Sequence, residues 1–151
     1  MAHRRLAVGL TAGAALWVLA LLLAPLALSS GRTAAAGGAI LYAGASRICH
    51  QKPERSFRLG GIPLPVCARC LALYAGGTIG ALLGWVGARR LPSGGRTLLG
   101  AAAVPVAASV GLEWLGAAAP SNAARFAVSA PLGVAAGWTF VRRLLADADA
   151  L

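Results

Sequence analysis

Four long apolar runs, residues 6–28, 67–88, 98–119 and 123–141, set the limits on what this chain can fold into. Each has the length that carries a helix across a bilayer, for which ~20 residues are needed. Inside hydrocarbon every backbone N–H and C=O must find its partner within the protein, and a single continuous apolar run does this as a helix. Composition points the same way: 58% of residues are hydrophobic and 12% charged, against ~25% charged in soluble domains. The expectation is an all-α integral membrane bundle of four transmembrane helices, a single domain over residues 1–151. An irregular Cys/His-containing loop joins its first two spans.

The net charge of +10 would direct a soluble protein toward nucleic acid. Here, however, Arg4, Arg5, Arg89, Arg90, Arg96, Arg142 and Arg143 stand at the ends of apolar runs. Positive charge so placed anchors and orients membrane helices. No basic face interleaved with aromatics supports nucleic-acid binding, so the partner expected is the lipid bilayer. The N-terminus, His3-Arg4-Arg5 before an apolar run closing in Ala27-Leu28-Ser29, has the outline of a signal peptide. Its apolar run exceeds the ~7–15 residues of a signal h-region, which favours a retained first helix, bent or ended near Pro25. The 14 Lys and Arg divide evenly between the two faces. The arginines at helix ends carry the orientation: both termini and the 89–96 turn in the cytoplasm, the Cys/His loop outside the cell membrane.

Residues 33–47 are too few to span. Gly37-Gly38 followed by Ala39-Ile40-Leu41-Tyr42 predicts a short interfacial or re-entrant helix leading to Cys49. Pro53, Gly60, Gly61, Pro63 and Pro65 make the next stretch an irregular loop tied down at both ends. Pro92-Ser93-Gly94-Gly95 marks a turn, and Pro120-Ser121-Asn122 a tighter one that supplies an N-cap for the last helix. Gly76, Gly80 and Gly84 on the second span recur every four residues, as do Ser129, Gly133 and Gly137 on the fourth. Small residues at that spacing let helix backbones approach closely in lipid. Packing inside the bundle is the favoured use, and a homo-oligomer seam the alternative.

The signature loop, residues 45–70, holds all three cysteines and one of the two histidines. Cys67 and Cys70 lie three apart at the start of a helix and project from one face. The helix N-terminus and Arg69 favour thiolates there. Cys49 and His50 complete a Cys-His…Cys-x-x-Cys set, an ordinary zinc complement. Adjacent side chains in an extended segment point to opposite faces, so Cys49 and His50 bind one ion only if the backbone kinks. Otherwise His50 serves as a supporting or acid–base group, and Glu113 or water completes the site. Gln51 and Ser56 are polar, but spacing alone assigns them no role. Arg55, Arg58 and Arg69 surround the thiols and suit an anion such as a lipid phosphate, with Arg58 better explained as an interfacial anchor.

Four antiparallel spans place Glu113, Trp114, Ser121, Asn122 and Arg125 on the Cys/His face. With the third span running to residue 119, Glu113 falls about 9 Å inside its end. An intramembrane carboxylate calls for a cation on the same face, and Arg69 and Arg125 are the candidates.

The set Cys49-His50-Gln51, Pro53-Glu54-Arg55-Ser56-Phe57, Gly61, Pro65-Val66-Cys67-Ala68-Arg69-Cys70 and Tyr74-x-Gly76 closely resembles the signature of a prokaryotic membrane-protein family, domain of unknown function 2085. Ser121-Asn122-x-x-Arg125-Phe126 resembles that family's second, weaker block, and the resemblance covers roughly residues 45–141. The family's usual Thr-Gly after the CxxC is replaced here by Leu71-Ala72, and its frequent Asp-Gly on the third helix by Glu113-Trp114. The first helix looks like an addition. The resemblance implies a small helical membrane protein and carries no established activity.

Three chemistries follow as expectations. The first is metal binding, zinc above all, at Cys49, His50, Cys67 and Cys70. The second is thiol–disulfide exchange by Cys67 and Cys70, with Arg69 or Arg125 holding a quinone oxygen. That would be broadly similar to the four-helix quinone-coupled family that reoxidises periplasmic thiol oxidases, which relies on a second cysteine pair absent here. The third is an anion or lipid-headgroup site at Arg55, Arg69 and Arg125.

Overall fold

A computed structural model describes residues 2–86 and 94–149. The apolar runs close their backbone bonds internally as helices α1 (Ala2–Leu28), α2 (Arg32–Ala45), α3 (Ala68–Gly84), α4 (Gly95–Trp114) and α5 (Asn122–Asp149). The α2–α3 connection contains one 3-10 turn, Pro53–Arg55, and a hairpin of β1 (Arg58–Leu59) and β2 (Ile62–Pro63). The hairpin pairs Arg58 with Pro63 and Leu59 with Ile62. Gly60 and Gly61, at φ 59° and 80°, supply the two positive-φ residues that a tight hairpin turn of this hand requires. The stretch expected to be irregular thus contains a short ordered pair, and its Gly-Gly is the signal for it.

Among the described residues three helices are long and apolar enough to cross a membrane: Ala2–Leu28, Gly95–Trp114 and Asn122–Ala148. The second expected span is shorter than its apolar run. Helix α3 has 17 residues, about 26 Å at 1.5 Å per residue, against ~30 Å of hydrocarbon. Residues 87–93, with Arg89, Arg90 and most of the expected 89–96 turn, lie outside the described residues. Helix α1 does not end at Pro25 but continues to Leu28 with the proline buried. The bond that proline forfeits falls near the helix end, where it interrupts least.

The end of α4 corrects the expected third span. The helix stops at Trp114 rather than 119 because Gly116 turns left-handed at φ 69°. The Ala117 N–H then donates to the Leu112 carbonyl at 2.9 Å and the Gly116 N–H to that of Glu113 at 3.2 Å. This is the paired closure of a Schellman motif. Glu113 therefore lies in the last turn of α4, not 9 Å inside it.

The two small-residue stripes face each other within one chain. A Cβ on Gly76 would lie 2.5 Å from the Ala130 carbonyl oxygen, and one on Gly80 2.0 Å from that of Val134. From the other side, a Cβ on Gly133 would meet the Leu73 oxygen at 2.5 Å and one on Gly137 the Gly77 oxygen at 2.0 Å. The α3 and α5 backbones are in direct contact, as small-xxx-small spacing allows. Helix α1 closes on this pair through an edge-to-face Trp17–Tyr74 contact and a Trp85 Nε1–H bond to Thr11 Oγ1 at 3.2 Å. The core that supports the loop collects Leu21, Ala45, Leu64, Val66 and Leu71 around Cys49 and Cys67. No residue of α4 is buried as a whole, and Trp114, its last residue, is 85% exposed.

Candidate functional site

The loop is held by side chains that repair its irregular backbone. After α2 the chain makes one more tightening turn, in which the Cys49 N–H donates to the Ala45 carbonyl at 2.9 Å. Gln51 then takes a positive φ of 49°, uncommon for a residue with a side chain. Its amide donates to the Tyr42 carbonyl at 2.8 Å and to the Pro65 carbonyl at 2.9 Å. One side chain thus bridges the end of α2 and the approach to α3. The Tyr42 hydroxyl donates to the Pro63 carbonyl, and burial lifts this phenol above its usual range. Buried Ser56 donates to the Lys52 carbonyl at 3.0 Å. Asn122, at the start of α5, donates to the Glu54 and Ser56 carbonyls at 3.3 and 3.1 Å. Gln51, Ser56 and Asn122 thereby acquire roles that their spacing does not reveal. Ser121 caps α5 as expected, its hydroxyl accepting from the Ala124 N–H at 3.2 Å.

Between these ties the three thiols converge. The sulfurs of Cys49, Cys67 and Cys70 all lie within 4.8 Å of one another, Cys49 and Cys67 buried and Cys70 half-buried, with no disulfide among them. The Cys67 N–H donates to Cys49 Sγ at 3.2 Å. Cys67 stands one residue ahead of α3, as its N-cap. A hydrogen bond from the Cys70 thiol holds the Cys67 thiol below the ordinary thiol range; burial opposes this, and the Cys70 backbone, Cys49 and His50 reinforce it.

His50 is not brought into the group. It is exposed, and its Nδ1 accepts the Lys52 N–H at 3.1 Å. Successive side chains in an extended segment diverge, so the burial of Cys49 turns its neighbour outward.

A second cluster lies across the first turn of α3. Arg69, between Cys67 and Cys70 in sequence, sends its guanidinium to α4 instead of to the thiols. It meets Glu113 Oε2 at 2.6 Å and Ser109 Oγ at 2.9 Å. Arg125 meets Glu113 Oε1 at 2.7 Å, and its Nη1 donates to Asn122 Oδ1 at 2.9 Å. Arg55, from the 3-10 turn, reaches the same Oε1 at 3.1 Å. The Glu113 side chain is 6% exposed. Sequence reasoning named Arg69 and Arg125 as its cations and missed Arg55, whose approach depends on the fold of the loop. Asn122 links the two clusters, holding the loop with its amide nitrogen and Arg125 with its oxygen.

A helical membrane protein with a loop of three clustered thiols, backed by an arginine–glutamate cluster, is the class these features define. The chain belongs to the DUF2085 family of predicted membrane proteins, whose family model matches residues 49–139. It is similar to an uncharacterized protein of Methanocaldococcus jannaschii, 49% identical over 43 residues, 28% of this chain and 28% of that one. It is also similar to an uncharacterized protein of Methanothermobacter thermautotrophicus, 55% identical over 29 residues, 19% of this chain and 26% of the relative. These matches therefore span little more than a quarter of either relative. No solved structure matches the chain.

Proposed function

We propose that this is an integral membrane protein whose Cys49, Cys67 and Cys70 bind one metal ion, zinc by preference, at the membrane interface. The observation that carries this reading is the mutual approach of three sulfurs to within 4.8 Å. Zn–S bonds of ~2.3 Å at a tetrahedral angle bring sulfurs to about 3.8 Å apart, a small rotamer adjustment away. Soft thiolates select zinc or copper(I) over oxygen-loving cations. The electrostatics support it as well. Three thiolates in an apolar core need a compensating cation, and the guanidinium of Arg69, which stands between Cys67 and Cys70 in sequence, is committed to Glu113. The ion would pin the end of α2 to the start of α3. Its fourth position falls to water or, after a change of backbone, to His50.

On this reading α3 serves as a fourth, short span beside α1, α4 and α5, in the cytoplasmic membrane, with termini inside and the loop outside. Elemental analysis and thiol titration on one purified sample test the metal. The expected result is about one zinc per chain, with three thiols slow to alkylate until a strong chelator releases them together. Metal-free protein with immediately reactive thiols would refute it.

The depressed Cys67 thiol favours a second reading, since a CxxC thiolate of this kind also performs thiol–disulfide exchange. Closing a Cys67–Cys70 disulfide from the Cys67 thiolate and the Cys70 thiol would release two electrons and one proton, which with a second proton taken from water would reduce a quinone to its quinol. That reading requires a reducible Cys67–Cys70 disulfide that persists in Cys49→Ser.

A further inference from the structure

We infer that the arginines around Glu113 form a binding site for a phosphate group, separate from the thiol cluster. Arg55, Arg69 and Arg125 all lie within 3.1 Å of a single carboxylate, three positive charges against one negative. The remaining acids do not balance them. The chain has four Asp and Glu. Asp147 and Asp149 stand at least 22 residues beyond Arg125 on α5, about 33 Å along the helix. Glu54 is exposed on the loop. An excess of two positive charges therefore sits among side chains only 11%, 15% and 28% exposed for Arg125, Arg69 and Arg55. Unbalanced buried charge is expensive to maintain, and an anion removes the imbalance.

Donors remain for it. The Nε–H groups of Arg69 and Arg125 are buried without a hydrogen-bond partner. Arg55, the most exposed of the three, marks the side from which a ligand enters. The planar fork of a guanidinium matches the paired oxygens of a phosphate. The cluster lies at the tip of α4 and the start of α5, at the ends of apolar helices, where lipid phosphates reside. The shared chemistry is the phosphate group, and its two sources are a phospholipid headgroup and inorganic phosphate.

Thermal unfolding of the full chain in neutral detergent separates them. One arm adds sodium phosphate against sodium chloride at equal ionic strength. The other adds dioctanoyl phosphatidylglycerol against dioctanoylglycerol, which lacks the phosphate. A saturable rise in Tm with either phosphate-bearing probe supports the site, and the probe that acts identifies the source. Arg55→Gln, at the exposed edge, is expected to weaken that response by about tenfold in apparent affinity while leaving the protein folded. The proposal is overturned if neither probe exceeds its control, or if Arg55→Gln responds as the wild type does.

Discussion

The backbone N–H of Cys67 donates to the sulfur of Cys49 at 3.2 Å, across 18 residues of chain. This bond joins the two halves of the signature loop at the position where the thiols converge. Packing brings about the convergence. Leu64 and Val66 insert into the core beside Leu21 and Ala45, drawing the chain before α3 against the end of α2. The thiols meet without a disulfide between them.

Metal loading separates Cys49 from its neighbour. Cys49→Ser, Cys67→Ser and Cys70→Ser are each expected to lower bound zinc to well under one equivalent, because each sulfur belongs to the cluster. His50→Ala is expected to keep zinc near the wild-type level, since His50 is exposed and its Nδ1 already accepts the Lys52 N–H. Elemental analysis of the four purified variants reads both outcomes. Zinc lost in His50→Ala as completely as in Cys49→Ser would mean that the backbone at Cys49-His50 rearranges around the ion.

Glu113 and Arg125 should be strongly coupled in stability. At 2.7 Å and with a carboxylate 6% exposed, removing Glu113 strands Arg125 away from water, a loss of about 3–5 kcal/mol for buried pairs. Removing Arg125 leaves Glu113 paired with Arg69 and Arg55 and should cost less. Glu113→Gln and Arg125→Gln combined should cost less than their sum, by ~0.5–3 kcal/mol. Arg69 and Arg55 share the same carboxylate, so Glu113→Gln is expected to be the worse single change. Additive losses in detergent unfolding would mean the pair is not energetically linked.

The apolar runs, the N-cap at Ser121 and the Cys-x-x-Cys at a helix start are local features, and each is legible in residues a few positions apart. The stripes at Gly76–Gly80 and Gly133–Gly137 are legible as faces; that they oppose each other requires the contact itself. The end of α4 was hidden by Ala117-Ala118-Ala119, which prolong the apolar run past the real stop, although Gly116 was the available signal. Arg55 could not be read as a partner of Glu113. The two stand 58 residues apart, and only the fold of the loop against α5, held by Asn122, brings them together.

Close helix contact makes Gly80 intolerant of even one methyl group. Its Cβ would lie 2.0 Å from the Val134 carbonyl oxygen, and backbone cannot rotate away as a side chain does. Gly80→Ala is expected to force α3 and α5 apart, at about 1–3 kcal/mol. Gly9→Ala is the control: a Cβ there has nothing within 4 Å, and alanine is the better helix former by ~1 kcal/mol. The two variants should move Tm in opposite directions. A Gly80→Ala protein as stable as wild type would show that the helices pack more loosely than these distances indicate.

Gln51 tests whether the loop is organised for the thiols or merely alongside them. Its amide nitrogen holds the Tyr42 and Pro65 carbonyls, one on the Cys49 side and one on the Cys67 side of the cluster. Gln51→Ala removes both bonds, worth ~0.5–1.5 kcal/mol each, and leaves the positive φ in place. Gln51→Gly removes the same bonds but relieves the backbone, since glycine adopts that conformation without steric cost. The glycine variant should therefore be the more stable of the two, while both lose metal more readily to a competing chelator than wild type does. Chelator competition followed by colorimetric zinc release measures the second effect independently of Tm. If both variants are destabilised yet hold zinc as tightly as wild type, the three sulfurs keep their approach without Gln51, and the organisation rests on the apolar core and the Cys67–Cys49 bond alone.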